Sequence, residues 1–248
     1  MASSQRNQAT ERSSREEKEG PYTSQDMLVL QILCHLFLDD KITKLLEFLL
    51  RKYQKKEQIT MEEMLHIVDH EYHEYFSVIF REVCEYMCLG FGIDVREVDP
   101  PGHKYVFVPI LGLTYSGIPG GDDKIIPQLI LLIVMLTFIF LKGNHVSEED
   151  VMELLRTKEM LPKREHSDIG EVWKFIVEDL VREQYLEYRR VPNSDPAHYE
   201  FIWGPRTHAE TSKMKVLEHL AKINRRDPRS YPHLYEDALK EEQKATHV

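Results

Sequence analysis

Histidine is the residue type whose spacing in this chain first suggests chemistry. His66, His70 and His73 share one predicted helical stretch, and the first two stand four residues apart, so both rings can point the same way. A zinc ion needs three or four ligands with supporting hydrogen bonds. The run His70-Glu71-Tyr72-His73 lacks the spacing of the zinc-protease helix. The pattern therefore favours the polar end of a surface helix over a metal site.

The three cysteines, Cys34, Cys84 and Cys88, give no redox signal. They are too few for a disulfide framework, and no Cys-x-x-Cys occurs. Cys84 and Cys88 lie one helical turn apart, which is more typical of core or edge residues than of a metal or redox site. The N-terminus is polar and mixed in charge, without a secretory pattern, which predicts an intracellular protein.

Catalytic and phosphate-binding motifs are absent from the sequence. The glycine-rich stretch at 117–121 is not followed by Lys-Ser/Thr, and it leads into an apolar helix. No Gly-x-Ser-x-Gly motif occurs, and nothing places two acids around a cleft. We therefore predict no enzyme, no catalytic residue, no metal and no cofactor.

The predicted secondary structure repeats one order of elements. The first copy has a helix at about 41–53, a helix that starts at the capping box Thr60-x-x-Glu63, and a helix at about 74–90. A hairpin with strands at 93–99 and 105–110 follows, turned by Pro100-Pro101-Gly102. Three helices followed by such a hairpin describe a winged-helix unit.

The second copy begins with an apolar helix at about 128–142. A helix from Ser147, with Asp150 at its third position, a helix at about 168–183 and a hairpin at 185–203 follow. The two hairpins lie about ninety residues apart, which is a weak internal repeat. A final helix is predicted at about 207–223, opened by Pro205 and capped by Thr207-x-x-Glu210.

The predicted fold class is mainly α with small β-hairpin wings, arranged as tandem winged-helix units. The expected divisions are a disordered N-terminal tail, the first winged-helix unit, a linker, the second winged-helix unit and a C-terminal helical extension, at residues 1–24, 41–111, 112–124, 125–204 and 205–243. The apolar segment at 27–38 either packs on the first unit or fits poorly and promotes aggregation.

The apolar helix tests whether this chain contacts a membrane. Its uninterrupted apolar run at 129–141 gives about 20 Å of helix, against a hydrocarbon core of about 30 Å. A buried core helix is therefore favoured over a partner surface or a membrane contact.

Charge argues against direct binding to nucleic acid. The net charge is −10 and the isoelectric point is about 5.7. Winged helices often place their third helix in the DNA major groove, which requires cations and amides. Here the third helices carry three acids against one arginine at 73–88, and five acids against two cations at 168–183.

The first helix suggests a partner surface. Its core stripe, at helical spacing, consists of Ile42, Leu45, Leu46, Leu49 and Tyr53. Leu50 lies about 80° from the centre of that stripe, at its rim, and Phe48 lies about 120° away on the other flank. Two large apolar residues outside the stripe predict a second apolar contact, either with the neighbouring unit or with a partner.

Several runs along the chain resemble one known family. They are YLEYRRVPNSDPAHYEFIWGPRTHAETSKMKVLEHL at 185–220, FLLRKYQKKEQIT at 48–60, FGIDVREVDPPGHKYVFV at 91–108 and LKGNHVSEEDVMELL at 141–155. In this order they resemble the homology domain of the melanoma-antigen (MAGE) family, with the B-type members as the expected nearest match. The resemblance covers roughly 41–243 and implies two packed winged-helix units.

The resemblance also implies a function as a non-catalytic interaction module. Family members bind RING-type E3 ubiquitin ligases, often of the tripartite-motif class, and alter their activity, substrate choice or location. Leu49 and Leu50 match the implicated leucine pair, and we expect Leu50 to touch the partner while Leu49 mainly holds the helix. The alternative is a transcriptional corepressor scaffold that binds chromatin-associated proteins. Neither function requires direct nucleic-acid or membrane binding, and both are expected in cytoplasm and nucleus.

Overall fold

In a computed structural model of the chain, the described residues are 40–115, 125–156 and 167–245. The predicted N-terminal tail, the apolar segment with Cys34 and most of the linker lie outside the described residues.

The first unit has three helices and a three-stranded antiparallel sheet. Its elements are α1 (Asp40–Gln54), β1 (Ile59–Thr60), α2 (Met61–Ile67), a 3-10 helix (His70–Tyr75), α3 (Phe76–Phe91), β2 (Ile93–Asp99) and β3 (Lys104–Pro109). The strand order is β1-β3-β2, with Ile59 opposite Tyr105 and Ile93 opposite Pro109. The predicted hairpin is therefore present. A third strand, β1, pairs with it, but this strand is too short to show an alternating pattern in the sequence.

The second unit repeats this arrangement. Its elements are α4 (Ile125–Leu141), β4 (Val146–Ser147), α5 (Glu148–Arg156), α6 (Ser167–Lys174) with a π-helical continuation (Phe175–Leu180), β5 (Leu186–Arg190) and β6 (Tyr199–Trp203). The strand order is β4-β6-β5, which is the order of the first sheet. The predicted fold class, mainly α with tandem winged-helix units, is confirmed.

The predicted starts of α2 and α5 are both capped. Glu63 N donates to Thr60 Oγ1 at 3.2 Å, and Thr60 N donates to Glu63 Oε2 at 2.9 Å, which completes the capping box of α2. In the second unit Asp150 N donates to Ser147 Oγ at 3.0 Å. The equivalent helices α2 and α5 are thus capped by equivalent hydroxyl side chains.

The C-terminal region corrects one prediction. The helix expected at about 207–223 is two helices, α7 (Pro205–Glu210) and α8 (Lys213–Ile223); a 3-10 turn (Pro228–Ser230) and α9 (Pro232–Ala245) follow. Pro205 opens α7 as predicted, but the N-cap is Gly204. Thr207 is no cap because it lies buried inside α7, where its hydroxyl donates to the Tyr185 carbonyl at 2.7 Å.

The apolar helix α4 forms the spine of the core. Its residues at 129–141 are at most 5% exposed except the half-buried Leu131. It packs against α3, α8 and β6, and Trp203 Nε1 donates to the Leu136 carbonyl at 2.9 Å. The prediction of a core helix is confirmed, and within the described ranges no helix has the length and apolar character needed to cross a bilayer.

Candidate protein-binding site

A groove lies beside the C-terminal half of α1. Its volume is about 530 Å³, and α1, the loop after it and the end of α2 supply the walls. The lining residues are Lys44, Glu47, Phe48, Arg51, Lys52, Lys55, Glu57, His66 and Ile67. Because two helices form it, periodicity within α1 alone could not reveal it.

The apolar part of the groove centres on Phe48. This side chain and that of Ile67 are half-buried, so each leaves apolar surface open to solvent. The Lys52 ammonium lies 5.7 Å from the centroid of the Phe48 ring, within cation-π range. Phe48 therefore keeps the accessible position on the flank of α1 that its helical spacing predicts.

Lys52 connects the walls of this groove. Its Nζ lies 2.8 Å from Glu63 Oε1 and 2.9 Å from Glu57 Oε2. These hydrogen bonds, with that to Glu63 foremost, raise the pKa of the Lys52 ammonium, and the bond from Lys52 lowers the pKa of the Glu63 carboxyl. Since Glu63 also completes the cap of α2, the Lys52 side chain fixes α1 against the start of α2.

Leu50 does not occupy the accessible rim expected from its helical angle. It is 4% exposed, and Leu49 is fully buried at 0%. The expectation is wrong because α1 packs against both α2 and α3, so its buried arc is wider than one stripe. Of Phe48, Leu49 and Leu50, only Phe48 reaches the groove.

The groove is locally basic although the chain carries a net charge of −10. Its cations are Lys44, Arg51, Lys52 and Lys55, and its acids are Glu47 and Glu57. The Glu47 carboxylate lies 3.4 Å from Arg51, and Glu57 lies against Lys52, so both acids are already engaged within the groove. The lining therefore carries more cationic than acidic side chains, although Lys52 also pairs with Glu63 outside it.

The three histidines singled out in the sequence lie in different surroundings within the described residues. His66 lines the groove, His70 is exposed, and His73 Nε2 lies 3.0 Å from both the Leu65 and Val68 carbonyls at the end of α2. Across the three described stretches, no group of three or more histidine, cysteine or acidic side chains could hold a metal ion.

Glu210 joins the start of the linker to the second unit, a role that the sequence did not indicate. Its carboxylate accepts hydrogen bonds from Thr114 N at 2.8 Å, Tyr185 Oη at 2.7 Å and Arg206 Nε at 2.8 Å. Burial alone would raise the pKa of this carboxyl, but the bonds from Arg206 and Thr114 lower it. The predicted Thr207-x-x-Glu210 pattern therefore forms no capping box: Thr207 bonds to Tyr185, and Glu210 bonds to Thr114, Tyr185 and Arg206.

Helix α8 lies against both α3 and α4 and buries polar groups there. Lys222 Nζ donates to Cys88 Sγ at 2.9 Å. His219 is 4% exposed, and neither ring nitrogen completes a hydrogen bond. Burial lowers the pKa of His219 to about 4, although the nearby Leu89 carbonyl acts in the opposite direction.

Comparison with known proteins identifies sequence relatives of this chain. The MAGE homology domain matches residues 128–214. Human melanoma-associated antigen 11 is 50% identical over 94% of this chain and 54% of its own length, and human melanoma-associated antigen 8 is 48% identical over 91% and 71%. Human melanoma-associated antigen B2 is 45% identical over 84% of this chain and 65% of its own length.

The resemblance seen in the sequence therefore extends to B-type relatives, but the identities to melanoma-associated antigens 11 and 8, at 50% and 48%, are higher than the 45% to B2. The chain spans about half the length of melanoma-associated antigen 11. Identity of 48% over nearly three quarters of a relative, together with paired winged-helix units, leaves one assignment: this chain belongs to the MAGE family.

Proposed function

We propose that this protein is a non-catalytic adaptor that binds a RING-type E3 ubiquitin ligase, of the tripartite-motif class, and alters its activity, substrate choice or location. Residues 41–243 would act as one homology domain, with winged-helix units at 41–111 and 125–204, a linker at 112–124 and a helical extension at 205–243. The protein would act in the cytoplasm and nucleus.

The observation that carries the proposal is the groove beside α1. It combines an accessible aromatic ring with a cationic rim on an otherwise acidic chain. Protein interfaces commonly place an apolar anchor at the centre and polar groups around it. The groove lies on the helix that carries the leucine pair to which the family resemblance points.

Within this proposal Phe48 contacts the ligase directly, and Leu49 and Leu50 support α1 from the core. Leu49 and Leu50 are buried, so their side chains hold α1 in place and set the direction of Phe48. Their partner-binding role is then positional, through the shape of α1, and their loss would remove binding together with stability.

Binding of purified tripartite-motif RING ligases to single variants tests the proposal. Phe48→Ala and Arg51→Glu should each weaken binding at least about tenfold, because one removes the apolar anchor and the other reverses a rim charge. Matched changes on the second wing, Tyr199→Ala and Arg190→Glu, should leave the affinity within about twofold. Equal loss in both pairs, or no loss in the groove variants, would refute the assignment.

A corepressor scaffold is the second candidate. The acidic third helices favour it over a DNA-binding role, since they would repel a duplex and still accept basic chromatin proteins. Affinity capture with the parent chain and Phe48→Ala separates the two candidates. Loss of ligases alone from the variant supports the adaptor, whereas loss of deacetylase-type complexes alone supports the scaffold.

A further inference from the structure

The outer side of α3 carries exposed apolar surface. Tyr75, which immediately precedes α3, is 60% exposed, and Val78 in its first turn is 43% exposed. Most other large apolar side chains in the described residues are buried or half-buried. We call this surface the α3 face; its members are Glu71, Glu74, Tyr75, Val78, Arg81, Glu82 and Glu85.

Acidic residues flank the two apolar residues in the sequence, with Glu71 and Glu74 before Tyr75 and Glu82 and Glu85 after Val78. Glu71, Glu74 and Glu85 are exposed and Glu82 is half-buried. Within the described ranges none of the four carboxylates forms an ion pair, whereas Glu47, Glu57 and Glu63 near the groove are all paired. Arg81 is the one cation of the face, so the face is strongly negative and its charge is not neutralised internally.

Helical spacing places the four members of the face that lie within α3 on one side. Val78, Arg81, Glu82 and Glu85 stand at positions i, i+3, i+4 and i+7 of one α-helix, so they share one side. The opposite side carries the buried Val83, Met87 and Phe91. The α3 face is thus a helix surface whose apolar centre is exposed among the described residues.

The negative charge of the α3 face indicates which kind of molecule it can bind. In many winged-helix proteins this third helix enters the DNA major groove, where it must present cations and amides to phosphates and bases. Carboxylates here would repel a duplex. The same carboxylates attract lysine and arginine, and Tyr75 and Val78 offer apolar contact beside them.

We propose that the α3 face binds a basic segment of a partner protein, with an apolar side chain of that segment covering Tyr75 and Val78. This surface goes beyond the proposed ligase site, because it lies on a different helix and has the opposite charge. An adaptor with two such surfaces on one unit can hold an acidic and a basic partner at once. The inference does not depend on which protein occupies the groove.

Fluorescence anisotropy with short labelled peptides tests this binding on the full chain. The probes are a lysine- and leucine-rich peptide, the same peptide with serine for leucine, and the same peptide with glutamate for lysine. The first should bind, the second should bind several-fold more weakly, and the third should not bind. Raising the salt concentration from about 50 mM to about 300 mM should lower the affinity for the lysine- and leucine-rich peptide several-fold.

Charge reversals locate the binding site. The double variant Glu74→Lys/Glu85→Lys should lower the affinity for the lysine-leucine peptide at least about tenfold. Val78→Ser should lower that affinity several-fold. The matched control, Glu153→Lys/Glu187→Lys, makes the same change in net charge at exposed positions of the second unit and should cost less than about threefold. Phe48→Ala should leave peptide binding unchanged.

Three results would overturn the inference. They are no binding of the lysine-leucine peptide to the parent chain, equal weakening by the control pair, and equal binding of the glutamate peptide. A thermal melt of each variant shows that it is folded, and the exposed positions chosen keep folding and binding separable.

Discussion

The first helices of the two winged-helix units, α1 and α4, occupy equivalent places but meet different surroundings. Helix α4 is buried on nearly all sides because α3, α8 and β6 cover it. Helix α1 packs against α2 and α3 only through one arc, and its other flank carries Phe48, Arg51 and Lys44 into an open groove. The comparison teaches that two similar scaffolds can differ in what covers their first helix: α8 covers α4, whereas the described residues leave one flank of α1 open.

The largest expected effect is a difference in stability between two variants, each of which truncates one phenylalanine, in α1 or in α4. Phe140 in α4 is fully buried, so Phe140→Ala should reduce the free energy of unfolding by about 3–5 kcal/mol. Phe48 in α1 is half-buried, so Phe48→Ala should cost about 1 kcal/mol or less. Urea unfolding measures both values. Similar losses in the two variants would remove the contrast between a closed helix and an open one.

The leucine pair sharpens the comparison within α1. Because Leu49 and Leu50 are both buried, Leu49→Ala and Leu50→Ala should each lower the free energy of unfolding by about 2–5 kcal/mol. Phe48→Ala provides the control on the same helix. A Leu50→Ala variant that loses ligase binding at parental stability would return Leu50 to the accessible rim predicted from its helical angle.

Helix α8, which closes the second unit, should make stability depend on pH through His219. The folded pKa of about 4 lies below the unfolded value of 6.5, so the stabilisation is complete above pH 6.5, falls below it and is lost near pH 4. Between about pH 7.5 and about pH 4.5 the parent should lose about 2–3 kcal/mol more than His219→Leu. Parallel unfolding curves at the two pH values measure this difference, and an identical pH response would show that His219 is not buried in its neutral form.

Much of this fold could be predicted because its signals are local. The capping groups Thr60 and Ser147, the turn after β2 and the apolar run of α4 each act within a few residues. Apolar periodicity and turn chemistry therefore located both units. Strands β1 and β4 are two residues long, too short for alternation, and they exist only because β3 and β6 accept them.

The candidate site was less predictable because it depends on contacts between elements. Helical angles placed Phe48 outside the core stripe correctly, but they could not show that Leu50, at the rim of that stripe, is buried. The Lys52–Glu63 pair joins residues eleven positions apart, and the Thr114–Glu210 bonds join residues 96 apart. Neither pairing follows a local rule, so only the folded chain brings these side chains together.

The central claim, that the open flank of α1 receives the partner, is tested most directly by amine-reactive crosslinking and mass spectrometry of the chain bound to a tripartite-motif RING ligase. Lys44 and Lys55 line the groove, whereas Lys174 and Lys240 lie on other helices. The account predicts ligase crosslinks at Lys44 and Lys55 that disappear with Phe48→Ala. Crosslinks confined to Lys174 or Lys240 would contradict it.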